Sequence, residues 1–164
     1  MPASAGKSSA GFLTAMATSF NHFEDFHLGE IRHGGPVLIE AAEIQTFAAR
    51  YDPQSFHLEE AAAAGSFFHG LVASGWHTAS LTMRMTVEAL GVAGNFIGLK
   101  VSGLRWPLPV RPGDQLRADI EITALRPLRS RPAYGLVELQ VSTLNQLLQP
   151  VQHMHTATLI GRRP

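Results

Sequence analysis

Cysteine is absent from all 164 residues. That excludes disulfides, thiolate nucleophiles, zinc–thiolate sites and iron–sulfur clusters, and leaves the redox compartment open. Charge of one sign is lacking as well, since 13 basic and 13 acidic residues give a formal net charge of zero. Without a whole-molecule field there is no push toward nucleic acid, and any anion would have to meet a local basic cluster. Long apolar runs are missing too. Arg, Glu, His and Gly interrupt each one before the ~20 residues a membrane span needs. Met1 to Phe20 has a single Lys7 and a weak apolar patch, less than a signal peptide requires. The expectation is a cytoplasmic protein with no membrane and no nucleic-acid partner. Gly6-Lys7-Ser8 has the ending of a phosphate loop, but the first glycine of that motif would fall at Met1, with no strand before it.

What is present is the composition of an ordinary globular domain, 45% apolar and 16% charged, long enough to bury a core of its own. Residues 1–22 are expected to form a flexible or weakly helical extension, and 23–164 a single domain. An extended piece, Glu30 to Ile39, carries Gly34-Gly35-Pro36. A helix follows from Glu40 to Arg50, ended by Tyr51-Asp52-Pro53, because the residue before proline is pushed out of the helical region. A short helix from Glu59 to Ala64 leads to Gly65 and the aromatic pair Phe67-Phe68. The longest helix is read from Leu71 to Leu90, with Trp76, Ala79, Met83, Val87 and Leu90 on one face and Leu81, Met85 and Ala89 widening the stripe. Arg84 and Glu88 leave it only a narrow polar strip.

After Gly94 the period switches to two. Ile97, Leu99 and Val101 alternate, then Leu104, Trp106, Leu108 and Val110 in the opposite phase, so a bulge is expected at Ser102-Gly103. Pro112-Gly113-Asp114 is a turn signal. Leu116, Ala118, Ile120, Ile122 and Ala124 form one clean alternation, Val137, Leu139, Val141 and Thr143 another, and a last strand runs from about Val151 to Ile160. Long half-buried strands with one buried helix pack most economically as an α+β arrangement, a curved antiparallel sheet wrapped around the helix.

The stretch Tyr51-Asp52-Pro53-Gln54-Ser55-Phe56-His57 places a carboxylate and an imidazole five residues apart around a helix-breaking proline. Such a pair is suited to moving protons on and off water near neutral pH. Asp before Pro is also a common helix stop, and a lone histidine is more often structural, so composition leaves both readings open.

The run from Phe47 to His57, followed by Leu71-Val72-Ala73-Ser74-Gly75-Trp76-His77-Thr78-Ala79-Ser80, resembles the MaoC-like dehydratase family, which includes the R-specific enoyl-CoA hydratases. Leu104 to Asp114 resembles that family's strand-to-turn segment, and the similarity spans about residues 23 to 162. The resemblance implies a hot-dog fold around the long helix, with Asp52 and His57 at the catalytic positions of Asp-x-Asn-Pro-x-His. It further implies that Gly75 offers its N–H to a thioester oxygen and that Ser80 supports the aspartate. The sequence departs from the family at Gln54 for Asn, Ser55 for Pro and Ser74 for the His of His-Gly. Gln54 and Ser74 are expected to touch the pocket rather than the chemistry. Trp76 stands as a candidate wall of the acyl pocket, although a tryptophan on an apolar helix face is more often core.

Several other clusters favour structural readings. His69 and His77 suit helix-flanking positions, and His153 and His155 share one side of a strand without a third metal ligand, so no metal site is expected. Arg126, Arg129 and Arg131 suit a solvated hairpin. The implied activity is a hydro-lyase acting on a 2-enoyl or 3-hydroxyacyl thioester of coenzyme A or acyl carrier protein, with no cofactor beyond coenzyme A within the substrate. An acyl-CoA thioesterase on the same site and a non-catalytic acyl-CoA-binding subunit are the alternatives. An uncovered sheet edge leads us to expect a homodimer or a higher homo-oligomer.

Overall fold

The computed structural model describes residues 20–92 and 94–164. The expected N-terminal extension lies outside the described residues up to 19. Its last residues already dock on the domain: Asn21 donates through Nδ2 to the Leu90 carbonyl at 2.8 Å and through its backbone N–H to Gly91 at 2.9 Å.

In chain order the elements are β1 (Ile31–Leu38), α1 (Ala41–Tyr51), α2 (Ser55–Leu58), α3 (Glu60–Ala64), α4 (Gly75–Leu90), β2 (Phe96–Arg105), β3 (Gln115–Pro127), β4 (Tyr134–Leu144) and β5 (Pro150–Gly161). The strands form one five-stranded sheet in the order β1-β3-β4-β5-β2, every neighbouring pair antiparallel. The sheet packs on α4, which is the hot-dog arrangement. No described helix is long and apolar enough to cross a membrane.

Alternation in β3 and β4 translates directly into burial. Leu116, Ala118, Ile120 and Ile122 are buried, as are Val137, Leu139, Val141 and Thr143. The predicted bulge appears as a register shift between Ser102 and Arg105 in the β2–β5 pairing. The strand ends there, however, and Trp106 to Val110 is not part of the sheet. Pro107 and Pro109 lack the N–H a ladder needs, so the apparent continuation of the alternation is an irregular segment.

Two corrections concern α4. It begins at Gly75, four residues later than expected, because Leu71 to Ser74 run extended; Val72 N–H donates to the Phe56 carbonyl at 3.4 Å and Ala73 N–H to the Val110 carbonyl at 2.8 Å. Ser74 is the N-cap, accepting from Trp76 N–H at 3.2 Å. The period is right and Leu81, Met85 and Leu90 of the expected stripe are buried, but the buried face turns away from Trp76, Ala79, Met83 and Val87 and takes in the threonines instead. Thr78, Leu81, Thr82, Met85 and Thr86 are buried, whereas Trp76 is 58% exposed. Each threonine satisfies its hydroxyl on the carbonyl four residues back, and Thr82 also meets Thr143 across the core at 2.7 Å. With the hydroxyl paired in this way, the remaining methyl packs as an apolar group. Gly34 in β1 allows the close approach: a Cβ there would lie 2.5 Å from the Met85 carbonyl oxygen.

His77 joins α4 to α1. Its ring stacks on Phe47 with centroids 4.7 Å apart and planes 9° from parallel, and its buried Nδ1 has no hydrogen-bond partner among the described residues. Burial lowers its pKa below the ordinary 6.5, against a weaker upward pull from Glu43. The unfolded chain therefore binds this proton more readily than the folded one. Stability is unaffected well above pH 6.5 and falls as acidification charges the unfolded-state imidazole. Denaturant midpoints should fall more steeply in wild type than in His77→Leu as pH is lowered through that value.

Candidate active site

Three element ends converge on one pocket. Asp52 is the C-cap of α1, Ser74 the N-cap of α4, and His57 sits in the single turn of α2. A helix end supplies backbone groups free of helical bonding, and here these ends meet across the fold. His57 is buried, and its Nδ1 lies 2.7 Å from the Val72 carbonyl oxygen. A carbonyl only accepts, so Nδ1 carries the proton and Nε2 of the neutral ring presents a lone pair. That Nε2 stands 3.4 Å from Asp52 Oδ2.

Asp52 is held by two neutral donors. Ser74 Oγ donates to Oδ2 at 2.6 Å and Gln54 Nε2 to Oδ1 at 2.8 Å. Burial pushes the carboxyl pKa up, but the Ser74 and Gln54 hydrogen bonds, joined by the charge of His57 whenever that ring is protonated, outweigh it and hold the group below the ordinary carboxylate value. Ser74 and Gln54 thus act on the carboxylate itself, a correction to their expected place on the pocket wall alone. Ser80 does not perform the expected support. Its exposed hydroxyl donates to the Trp76 carbonyl at 2.8 Å. A residue six positions into a helix points a turn and a half away from the N-cap, where Asp52 lies.

The pocket has a volume of about 500 Å³. Asp52, Gln54, His57, Gly75, Trp76 and Thr78 line it together with Phe56, Phe67, Phe68 and the segment from Trp106 to Val110. Gly75 is the first residue of α4, so its N–H has no acceptor within the helix and sits at the positive end of the helix dipole. A side chain there would collide with Trp106, since a Cβ would come within 2.7 Å of the indole ring. Trp76 is a pocket wall and not core. The aromatic walls Phe67, Phe68 and Trp106 were not singled out as site residues from the sequence. Their signal lay in aromatics flanked by Gly and Pro, which interrupt regular structure and leave rings free of the core.

The remaining sequence candidates lie elsewhere. His69 is on the exposed loop before α4 with φ +52°, His153 is hydrogen-bonded to Ser142 at 2.9 Å, and Arg126, Arg129 and Arg131 are exposed at the β3–β4 hairpin. Arg111 does approach the pocket, but as a brace: its guanidinium donates to the Phe68 carbonyl at 2.7 Å.

Residues 25–143 match the MaoC-like domain family. The chain belongs to that family. A MaoC-like dehydratase of Rhodospirillum rubrum is similar in structure, with a TM-score of 0.82 and 43% identity over 88% of this chain and 99% of that one. The (R)-hydratase of Aeromonas caviae superposes with a TM-score of 0.70 at 27% identity, over 86% and 99% of the two chains. In sequence, the uncharacterized protein YdeM of Bacillus subtilis is 28% identical over 141 residues, 85% of this chain and 98% of its own length.

The two donors make a definite prediction for this MaoC-like site. In Ser74→Ala the stronger of them is gone while burial remains, so the Asp52 pKa should rise. Carboxyl-carbon NMR titration of wild type and variant should show the Asp52 midpoint moved to higher pH; an unmoved midpoint would mean that Ser74 does not stabilise the charge.

Proposed function

We propose that this protein is a hydro-lyase that adds water to a 2-enoyl thioester, or removes it from the 3-hydroxyacyl thioester, with coenzyme A or acyl carrier protein as the carrier. The observation that supports it best is the pairing of two acceptors, His57 Nε2 and Asp52 Oδ2, 3.4 Å apart on an apolar pocket beside the first N–H of α4. Two such acceptors hold one water by its two protons and leave an oxygen lone pair free. When that oxygen bonds to the β-carbon, one water proton passes to the pair and the double-bond electrons move toward the α-carbon and the thioester oxygen. Gly75 N–H and the α4 dipole favour the charge that develops on that oxygen, an effect worth roughly 3 kcal/mol for a well-placed donor. The α-carbon then takes a proton back from the pair, and the net addition is one water. The Aeromonas caviae relative carries the name (R)-hydratase, which agrees with this reading.

Loss of absorbance of crotonyl-CoA is the direct assay. Asp52→Asn and His57→Ala should each lower kcat/KM by ~10² to 10⁴, the usual contribution of a positioned acid or base, with no free thiol released. Thiol release dependent on the same two residues would reassign the site to thioester hydrolysis.

We also propose that two copies join through β2. The two sheet edges are unlike one another. β1 carries Gly34-Gly35-Pro36 and a register shift, devices that discourage further pairing. β2 exposes Ile97 at 45%, Leu99 at 53% and Val101 at 52%. A second copy would cover this edge. Sedimentation should find a dimer for wild type and a monomer for Leu99→Asp/Val101→Asp, because two carboxylates on this edge oppose burial.

A further inference from the structure

We propose that Trp76 sets the acyl-chain length this site accepts, ending the acyl pocket so that short chains are favoured; the inference rests on the thioester reading above. Trp76 stands between two cavities. On one side it lines the pocket of about 500 Å³ that contains Asp52 and His57, and on the other a second cavity of about 350 Å³ bounded by Ala79, Met83, Val101, Leu104 and Met154. Among the described residues it alone lines both. Among the described residues the second cavity has no charged side chain in its walls, and Ser102 brings a single hydroxyl to a largely apolar lining. What suits it is a run of methylenes. Trp76, Ala79 and Met83 occupy the same stripe of α4, so a chain passing the position of the indole would lie along that stripe.

The indole is a fixed wall and not a swinging lid. Its edge packs on Trp106, with ring centroids 5.6 Å apart and planes at 76°. Trp106 is itself immobilised: its Nε1–H donates to Oε1 of the fully buried Gln152 at 2.8 Å, and its ring lies against Gly75. The Trp76 backbone N–H is tied to the Ser74 hydroxyl. Displacing the indole would disturb this chain of contacts, whereas removing it opens the passage. Because Trp76 is more than half exposed, its removal leaves no cavity in the core.

Binding of saturated acyl-CoAs from butyryl to decanoyl, measured by calorimetry, tests the proposal without requiring turnover. Wild type should gain little affinity beyond the shorter chains. Trp76→Ala, or Trp76→Val if the alanine variant folds poorly, should gain roughly fourfold per methylene that enters the second cavity. The octanoyl-to-butyryl preference should therefore rise at least about tenfold over wild type. Trp76→Ala/Met83→Trp, which refills the second cavity, should lose that gain. Identical chain-length profiles in wild type and Trp76→Ala, or a gain that survives the second tryptophan, would overturn the proposal. Crotonyl-CoA turnover by wild type, followed in parallel, separates the two readings. A shifted binding profile without any hydration would keep the role of Trp76 and remove the hydratase assignment.

Discussion

The hydroxyl of Ser74 has one proton and two lone pairs, and the architecture of the pocket depends on both being used. It accepts from Trp76 N–H and so caps the start of α4, and it donates to Asp52 Oδ2 and so ties that start to the carboxylate at the end of α1. Alanine would lose both functions. Aspartate would cap the helix equally well but set a second negative charge against Asp52, and a like charge at that distance raises a carboxyl pKa. Since α4 is the helix that the sheet packs on, the bond links the core to the site. Its starting point decides that Gly75 N–H is free, that Trp76 faces the pocket, and that His77 meets Phe47.

Much of this frame was legible in the residues. Period-two alternation identified β3 and β4, because a strand with one face on a core writes its burial into every second position. The Asp52–His57 loop was legible as a carboxylate and an imidazole able to meet at one point, and its neighbours placed it in a family. The buried face of α4 was legible at Leu81, Met85 and Leu90 but not beyond them, and the cause is physical. Thr78, Thr82 and Thr86 read as polar, yet each returns its hydroxyl to the helix and presents a methyl to the sheet. Trp76 reads as core yet lines the pocket. Hydropathy counts side chains, whereas burial depends on whether their polar atoms find partners. The same reasoning explains the exchange of Ser80 for Ser74. A serine inside a helix bonds its own backbone, while a serine at the N-cap is available to a neighbouring element.

Both hydrogen-bond donors to Asp52 are neutral, and that bears on the proposed mechanism. Among the described residues no Lys or Arg lines the pocket. A cation beside the carboxylate would hold its pKa down more strongly, but it would also draw the carboxylate's field away from the imidazole. Ser74 and Gln54 stabilise the charge by hydrogen bonds and leave it at a full unit. His57 cannot turn its ring toward another partner, because Nδ1–H is committed to the Val72 carbonyl. When Nε2 takes a proton, the resulting imidazolium therefore lies against an uncompensated carboxylate 3.4 Å away. In the hydration proposed above, the ion pair formed during proton transfer would be favoured in a low-dielectric pocket in which an isolated imidazolium would be costly. In the proposed hydration the same pairing would keep the proton near the acyl group until the α-carbon takes it.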